Sequence, residues 1–553
     1  MHTHWAATLL ASSGALLGAR AASNQTGYDY IVVGGGPSGI ISAERLSAAN
    51  KKVLLLERST VGPTIETGAN YPLQWNDSLT AIDVPGLSFD IGNLPQWNDY
   101  ICTDTDGTAA CILGGGVTVN YMVFVHPPDH DFNDKWPVGW KWPDVAPGAA
   151  RLYARNPGMS IPSNDGQLYD QALYGTLSTF FDNLNWTAVD MSAQRNEKFQ
   201  TYSHPVWNIK DFKRAGPLQT YLPLALQREN FTLRMGALAT RVLRTGSKVT
   251  GVEIVNTTTN KTETIPLAPG GKVILSAGAL HSPRILFNSG IGPRAQIATA
   301  QKSGIAVPPA KEWINLPVGK SLMDHPIFSI VVKTNGTFNA LDATAILNGT
   351  ATSDIAAYEQ DSTGVLTQAK HRLIFFTSNT AGDGHKRFYQ GSCTPTDEGT
   401  VTITAYMTHG LTSKGELGLD ANQRTTITKS PYLQTEGDIE AATEFIQSMV
   451  DAITASGSGL ELVQYTNTSA ILGSLTAGIH YAGTTKMGTD DGRDGFGTAV
   501  VDTNTKVYGV DNLYIVDGGI HPDLASGNNQ ATIMVVAENA VERILEQDRF
   551  LGA

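Results

Sequence analysis

A histidine and an asparagine near the end of the chain are the residues best suited to do chemistry. His480 opens the stretch His480-Tyr-Ala-Gly483-Thr484, and Asn528 stands in Gly527-Asn528-Asn529-Gln530. An imidazole titrates near neutral pH and is the default side chain for taking a proton from a hydroxyl. An amide can donate a hydrogen bond to an oxygen without titrating. The two are therefore a candidate base and a candidate hydrogen-bonding partner. His521, after Gly519-Ile520, competes for the role of base, while His325 in Asp324-His325-Pro326 is expected to cap local backbone. Asn528 begins an expected final helix over 528–547, so helix capping is a second role for it.

The elements that must position these groups begin at the other end of the chain. Tyr30-Ile-Val-Val reads as a short buried strand and Gly34-x-Gly36-x-x-Gly39 as a tight turn. Residues 40–48 read as a helix with apolar Ile40, Ala43 and Leu46, and Val53-Leu-Leu-Leu as a second strand ending at Glu57. Gly34 permits the turn, Gly36 lets backbone approach a pyrophosphate, and Gly39 lets helix and strand pack closely. The helix N-terminus offers free N–H groups and a positive dipole end to phosphates. Glu57, 23 positions after Gly34, is placed to accept from ribose hydroxyls. This is a dinucleotide site, and the motif alone does not separate NAD from FAD.

Further on, residues 230–293 read as strand-rich. Val249 to Val255 alternates, Val273-Ile-Leu-Ser is a buried strand, and a helix starts at about Ser282. Phe328-Ser-Ile-Val-Val and Thr400-Val-Thr-Ile-Thr-Ala-Tyr alternate as half-solvated strands do. Ile439 to Ile453 has the spacing of an amphipathic helix. Nucleotide motifs at both ends imply domains built from interleaved segments. The expected dinucleotide domain takes 27–66, 100–150, 230–325 and 476–553, and a substrate domain takes 67–99, 151–229 and 326–475.

With 553 residues, 41% of them hydrophobic, the chain exceeds one compact domain and can build a large core. A net charge of -12 argues against nucleic acid and anionic membranes as partners. No apolar run reaches the roughly 18 residues that span a bilayer. Trp5 to Gly18 is a shorter apolar stretch, followed by the small-x-small site Ala19-Arg20-Ala21. Residues 1–21 are thus expected to be a signal peptide and the protein to be secreted and extracellular. Nine Asn-x-Ser/Thr sequons, from Asn24 to Asn467, agree with a glycoprotein. Three cysteines allow one disulfide. Cys102 and Cys111 could close a short loop, or all three thiols stay reduced and buried; secretion favours the bridge. No Cys/His cluster has zinc spacing, and no metal is expected.

Four further segments carry a resemblance. Leu113-Gly-Gly-Gly116-Val-Thr-Val-Asn120, Ser276-Ala-Gly278-Ala-Leu-His-Ser282-Pro283, Asn315-Leu-Pro-Val-Gly319-Lys-Ser-Leu-Met-Asp324-His325-Pro and Asp517-Gly518 are similar in order and spacing to the glucose–methanol–choline (GMC) oxidoreductases. The match runs from about 28 to 546. It implies an α/β fold: a Rossmann-like FAD domain interleaved with an α+β substrate domain on an antiparallel sheet. It implies FAD contacts from Gly116, Asn120, Asp517 and Gly518. His480 matches the family's base, which takes the hydroxyl proton while hydride leaves for flavin N5, and Asn528 matches the partner amide. Val119 stands where some members carry a flavin-linked histidine, so FAD is expected to be non-covalent.

Within the family the chain looks closest to the flavin domain of fungal cellobiose dehydrogenases, through Arg214-Ala-Gly-Pro, Trp313-Ile-Asn315 and the Cys102/Cys111 spacing. It departs from them in two ways. With 27 residues ahead of Tyr28, no haem domain is expected. Ile479 and Lys414 stand where a polar residue and an arginine would meet a sugar, so both are candidate substrate contacts and cellobiose is disfavoured. The expected activity is oxidation of a small alcohol or sugar hydroxyl, as a dehydrogenase rather than an oxidase, with a quinone, a radical or O₂ as external acceptor. The alternative is a non-redox lyase or cyclase that keeps FAD as structure.

Overall fold

The computed structural model describes residues 27–338, 340–397 and 399–551; the expected signal peptide and Asn24 lie outside them. Tyr28–Val33 lies between Val53–Leu56 and the end of Thr262–Leu275, all parallel, with Phe231–Arg234 and Leu513–Ile515 on the outer sides. Every residue of Val53–Leu56 is 2% exposed or less, which explains the unbroken apolar run: a parallel strand is covered on both faces. Val33 stands opposite both Leu56 and Leu275, and Leu275 opposite Ile515. The residues that follow these strands, Gly34, Glu57, Ser276 and Asp517, therefore emerge along one carboxyl edge, where open α/β sheets bind ligands. A hairpin of Ala237–Thr245 and Lys248–Asn256 extends the sheet antiparallel to the start of Thr262–Leu275.

The helix Pro37–Ala48 returns along the first strand with Pro37 at its first turn. It packs against the final helix, Gln530–Leu551, which buries Ala531, Met534, Val535, Val541 and Ile544. The final helix also buries the Glu538 carboxylate. Arg45 and Arg151 pair with it, and Tyr221 donates to it at 2.7 Å. Three donors make such a buried charge tolerable. This helix starts two residues later than expected. Asn528 Oδ1 accepts from Gln390, and Asn529 Nδ2 donates to the His480 carbonyl, which commits both residues to the site outside the helix.

The second sheet is mainly antiparallel, in the order Leu460–Gln464, Pro326–Thr334, Thr400–Met407, Lys386–Asp397, Leu373–Thr380, Thr201–Ser203, Thr187–Ala188. Its alternation divides two environments. Phe328, Ile330, Val401, Ile403 and Ala405 are fully buried in one cluster with Phe445, Ile446 and Met449 of the helix Glu436–Thr454. That helix is capped by Thr435, whose side chain accepts from the Asp438 N–H. The intervening residues Ile327, Thr404 and Tyr406 face a cavity instead. Among the described residues no helix is long and apolar enough to cross a membrane.

Candidate active site

A cavity of about 650 Å³ runs from the glycine turn to the second sheet, within the range of ligand sites. At one end its walls are backbone. Gly34, Gly36, Gly116 and Gly278 line it, and a Cβ on Gly36, Gly116 or Gly278 would meet no atom within 4 Å. Gly36 caps the helix Pro37–Ala48 without a side-chain bond, so first-turn N–H groups stay available. Ser38 and Ser276 line the same wall, and their buried hydroxyls have no protein partner. Open backbone, a helix N-terminus and two orphaned hydroxyls fit a phosphate-bearing dinucleotide. Gly39 does not face the cavity; its missing Cβ lets the helix meet the Gly34 carbonyl.

Glu57 and Asp517 line the cavity and are also held by local backbone. Glu57 accepts from the Gly35 N–H at 2.9 Å and the Ser59 N–H at 2.8 Å. Asp517 accepts from the Gly278 and Gly519 N–H groups and from Ser282 Oγ at 2.6 Å; burial pushes its pKa up. Gly518 lies beside it in the wall. Asn120 lines the cavity with its loop tied to Arg214, which donates to the Val117 and Asn120 carbonyls and to Asn120 Oδ1. Arg214 is buried, among the described residues no carboxylate lies in hydrogen-bond reach of it, and burial lowers its pKa to about 9. Its role is to hold the loop that carries Gly116 and Asn120.

At the other end His480 and Asn528 come together. Asp324 holds the turn that carries the histidine. Its carboxylate accepts from the backbone N–H groups of His480 at 2.7 Å, Ile479 at 3.1 Å and His325 at 2.9 Å, and from Tyr432 Oη. Gly478 must be glycine, since a Cβ would lie 2.6 Å from the His325 carbonyl oxygen. Ile479 has φ +60°, an outlier for a β-branched residue, and its half-exposed side chain lines the cavity.

The ring Nδ1 of His480 lies 3.0 Å from Nδ1 of His325. Only one of the two atoms can carry the proton of that bond. For His480 to accept a proton at Nε2, its Nδ1 must donate to His325, which then carries its own proton on Nε2, a buried atom without a hydrogen-bond partner among the described residues. Gln390 Nε2 donates to Asn528 Oδ1 at 2.9 Å, so the Nδ2 end of Asn528 is left to donate into the cavity. Tyr406 completes the group: its hydroxyl stands beside Ser392 and Asn528, and its ring centroid is 6.2 Å from that of His480.

Burial pushes the His480 pKa down to about 4, so the ring is neutral at pH 7 and able to accept a proton. The depressed value sets a sign. The neutral form persists as pH falls through 6.5 and is lost only near 4, so the acid limb of kcat/KM is expected near pH 4. A pH profile with its acid limb at 6.5 would refute this. By linkage, the neutral ring stabilises the fold above pH 6.5, and that contribution is lost as pH falls towards 4.

Several residues stand elsewhere than expected. Lys414 does not line the cavity; its ammonium is turned against the Met323 sulfur, because the backbone of Gly415 pairs with Leu322 and aims the preceding side chain inward. Asp324, not His325, caps the local backbone, which frees His325 to meet His480. His521 is buried beside Trp136, away from the cavity, with its pKa lowered by burial to about 3. Cys102 and Cys111 are bonded to each other, and Cys393 is a buried thiol. Cys102, Cys111, Asp104 and His281 hold ligand-type atoms within 4.8 Å, but the sulfurs are joined and Asp104 already pairs with Arg58 and Arg284, which suits no cation. Gln390, Tyr406, Asp324 and Tyr432 were not anticipated. The alternation of Thr400–Met407 already placed Tyr406 opposite the apolar face, whereas nothing local marks Gln390 or Tyr432.

Comparison with known proteins agrees with this geometry. Two family models described as GMC oxidoreductase match residues 28–327 and 412–537. The chain is 27% identical to fatty acid photodecarboxylase from Chlamydomonas reinhardtii, over 95% of this chain and 92% of that one. It is 26% identical to 5-(hydroxymethyl)furfural oxidase from a Methylovorus species, over 94% and 99%. A solved Aspergillus oryzae formate oxidase variant superposes with a TM-score of 0.74 at 19% identity, covering 96% of this chain and all of that one, a likeness of fold. The two family models together span most of the chain, so it belongs to the GMC oxidoreductase family, whose enzymes bind FAD and act on alcohol-type donors.

Proposed function

We propose that this protein oxidises the hydroxyl of a small alcohol or sugar with non-covalently bound FAD. The observation that carries the reading is one cavity shared by the glycine turn, His480 and Asn528. Bound FAD would supply the two-electron acceptor. His480 would take the hydroxyl proton at Nε2, with His325 fixing the tautomer. Asn528, oriented by Gln390, would hold the substrate oxygen through Nδ2. Gly34, Gly36 and Gly116 would hold the cofactor, with Glu57 at a ribose and Asp517 and Gly518 at the flavin end. Ile479 gives that half of the wall an apolar surface, which favours a substrate less polar than a disaccharide. The hydroxymethyl substrate in the name of the Methylovorus relative points the same way.

Dehydrogenase rather than oxidase activity, with a quinone, a radical or O₂ as acceptor, belongs to the same proposal. So does kinship with the cellobiose dehydrogenase flavin domains, supported by Arg214-Ala-Gly-Pro and the Cys102–Cys111 bridge. Secretion is supported by the apolar leader and by a disulfide, which suits an oxidising compartment. The two sheets support a division into interleaved domains. The deciding experiment adds sugars, aryl alcohols and aliphatic alcohols to the anaerobic holoenzyme and then admits air. Bleaching of the visible flavin bands by one class is expected, with slow recovery in air. Turnover of a substrate with the flavin oxidised throughout would replace this reading with the lyase or cyclase one.

A further inference from the structure

The substrate half of the cavity contains a cation that the proposed reaction does not use. Lys370 lines the wall shared with His480 and Asn528. Among the described residues its ammonium makes no ion pair and no hydrogen bond; it lies 4.1 Å from the centroid of the Tyr121 ring. The cation next to it is accounted for: Arg372 pairs with Asp170 at 2.9 Å. His371 is buried and kept neutral, its pKa well below the ordinary value through burial and the charges of Lys370 and Arg372. Glu57 and Asp517, the carboxylates in the cavity wall, belong to the cofactor end and already accept from backbone donors.

Lys370 is half-buried in the cavity wall, and partial burial of an ammonium without a partner has a cost that the fold does not recover through an ion pair. Burial alone lowers the Lys370 pKa to about 8, with no carboxylate holding it up, so the group is still largely charged at pH 7. The other cations of the cavity wall, Arg58 and Arg284, already pair with Asp104, and an unpaired cation in a ligand cavity is complementary to an anion carried in by the ligand. The segment that bears it precedes the strand Leu373–Thr380 of the second sheet and is separate from the glycine turn that faces the phosphates.

We propose that Lys370 pairs with a carboxylate on the substrate, so that the preferred alcohols are hydroxy acids whose hydroxyl reaches His480 and Asn528. Between the two ends, Tyr121, Tyr406 and Ile479 offer an aromatic and aliphatic wall for the body of the molecule. The carboxylate is a handle and takes no part in the reaction. This inference deepens the proposed function and rests on it.

The test compares matched pairs on the holoenzyme: 4-(hydroxymethyl)benzoate with benzyl alcohol, and six- and ten-carbon ω-hydroxy acids with the corresponding alcohols. In at least one pair the acid is expected to exceed the alcohol by tenfold or more in kcat/KM. Lys370→Met is expected to reduce that ratio by at least tenfold. Binding of benzoate and decanoate, followed by titration calorimetry, should weaken by a similar factor. Lys370→Gln repeats the measurement should the methionine variant fail to fold. No preference for the acid in any pair, or a preference that survives in the variant, overturns the proposal. So does loss of bound flavin from the variant in place of lost selectivity, which would assign Lys370 to the cofactor. If no alcohol bleaches the flavin, the oxidase or dehydrogenase reading fails, yet the carboxylate titration still decides the role of Lys370.

Discussion

Replacing His480 with alanine is expected to slow anaerobic flavin reduction by about 10²- to 10⁴-fold, the usual range for a positioned base. The visible spectrum of the bound flavin should stay unchanged. The prediction rests on what holds the residue. Asp324 grips the turn through the backbone N–H groups of His480 and Ile479, and Asn529 grips it through the His480 carbonyl. None of these contacts uses the imidazole, so alanine removes the base and leaves its mount. The cost to the fold falls on His325, whose buried Nδ1 loses its hydrogen bond to the ring. An unsatisfied buried group costs about 1–3 kcal/mol, enough to lower Tm without unfolding the protein. The acid limb near pH 4 should vanish along with the base. A variant that reduces its flavin at the original rate would show that His480 is not the base.

How much of this was legible in the sequence follows from how local each signal is. The strand, turn and helix around Gly34, Gly36 and Gly39 need only contiguous residues, so their pattern was readable and their geometry follows it. The alternating runs at Phe328 and Thr400 were readable for the same reason, as was the nearby cysteine pair. The family resemblance placed His480 and Asn528, 48 positions apart, in one site. What stayed hidden depends on contacts across long separations. Gln390 reaches Asn528 over 138 positions and Tyr432 reaches Asp324 over 108. Lys414 was misplaced because position beside a strand does not reveal which way a lysine turns, and here the pairing of Gly415 with Leu322 decides it. Lys370 belongs to no pattern, and only the cavity gives it meaning.

Two glycine substitutions three positions apart should separate folding from cofactor binding. Gly39→Ala is expected to yield protein that is severely destabilised, beyond about 4 kcal/mol, and without bound flavin. Its Cβ would lie 1.9 Å from the Gly34 carbonyl oxygen, and the neighbour is backbone that cannot step aside. Gly34 is fixed by its N–H bond to the Leu56 carbonyl at 2.8 Å, and its φ of +103° leaves it little freedom. Gly36→Ala is the opposite case. Its Cβ would meet no protein atom within 4 Å, and its φ of -74° suits any residue, so the fold has no objection. The methyl group would instead project into the cavity, where backbone must come close to a pyrophosphate. The Gly36 variant should therefore melt as the flavin-free parent does, while its ratio of flavin to protein absorbance falls sharply. Full flavin occupancy in Gly36→Ala would mean that the phosphates do not approach this turn. A stable Gly39→Ala would mean that helix and strand are not packed as tightly as the 1.9 Å approach requires.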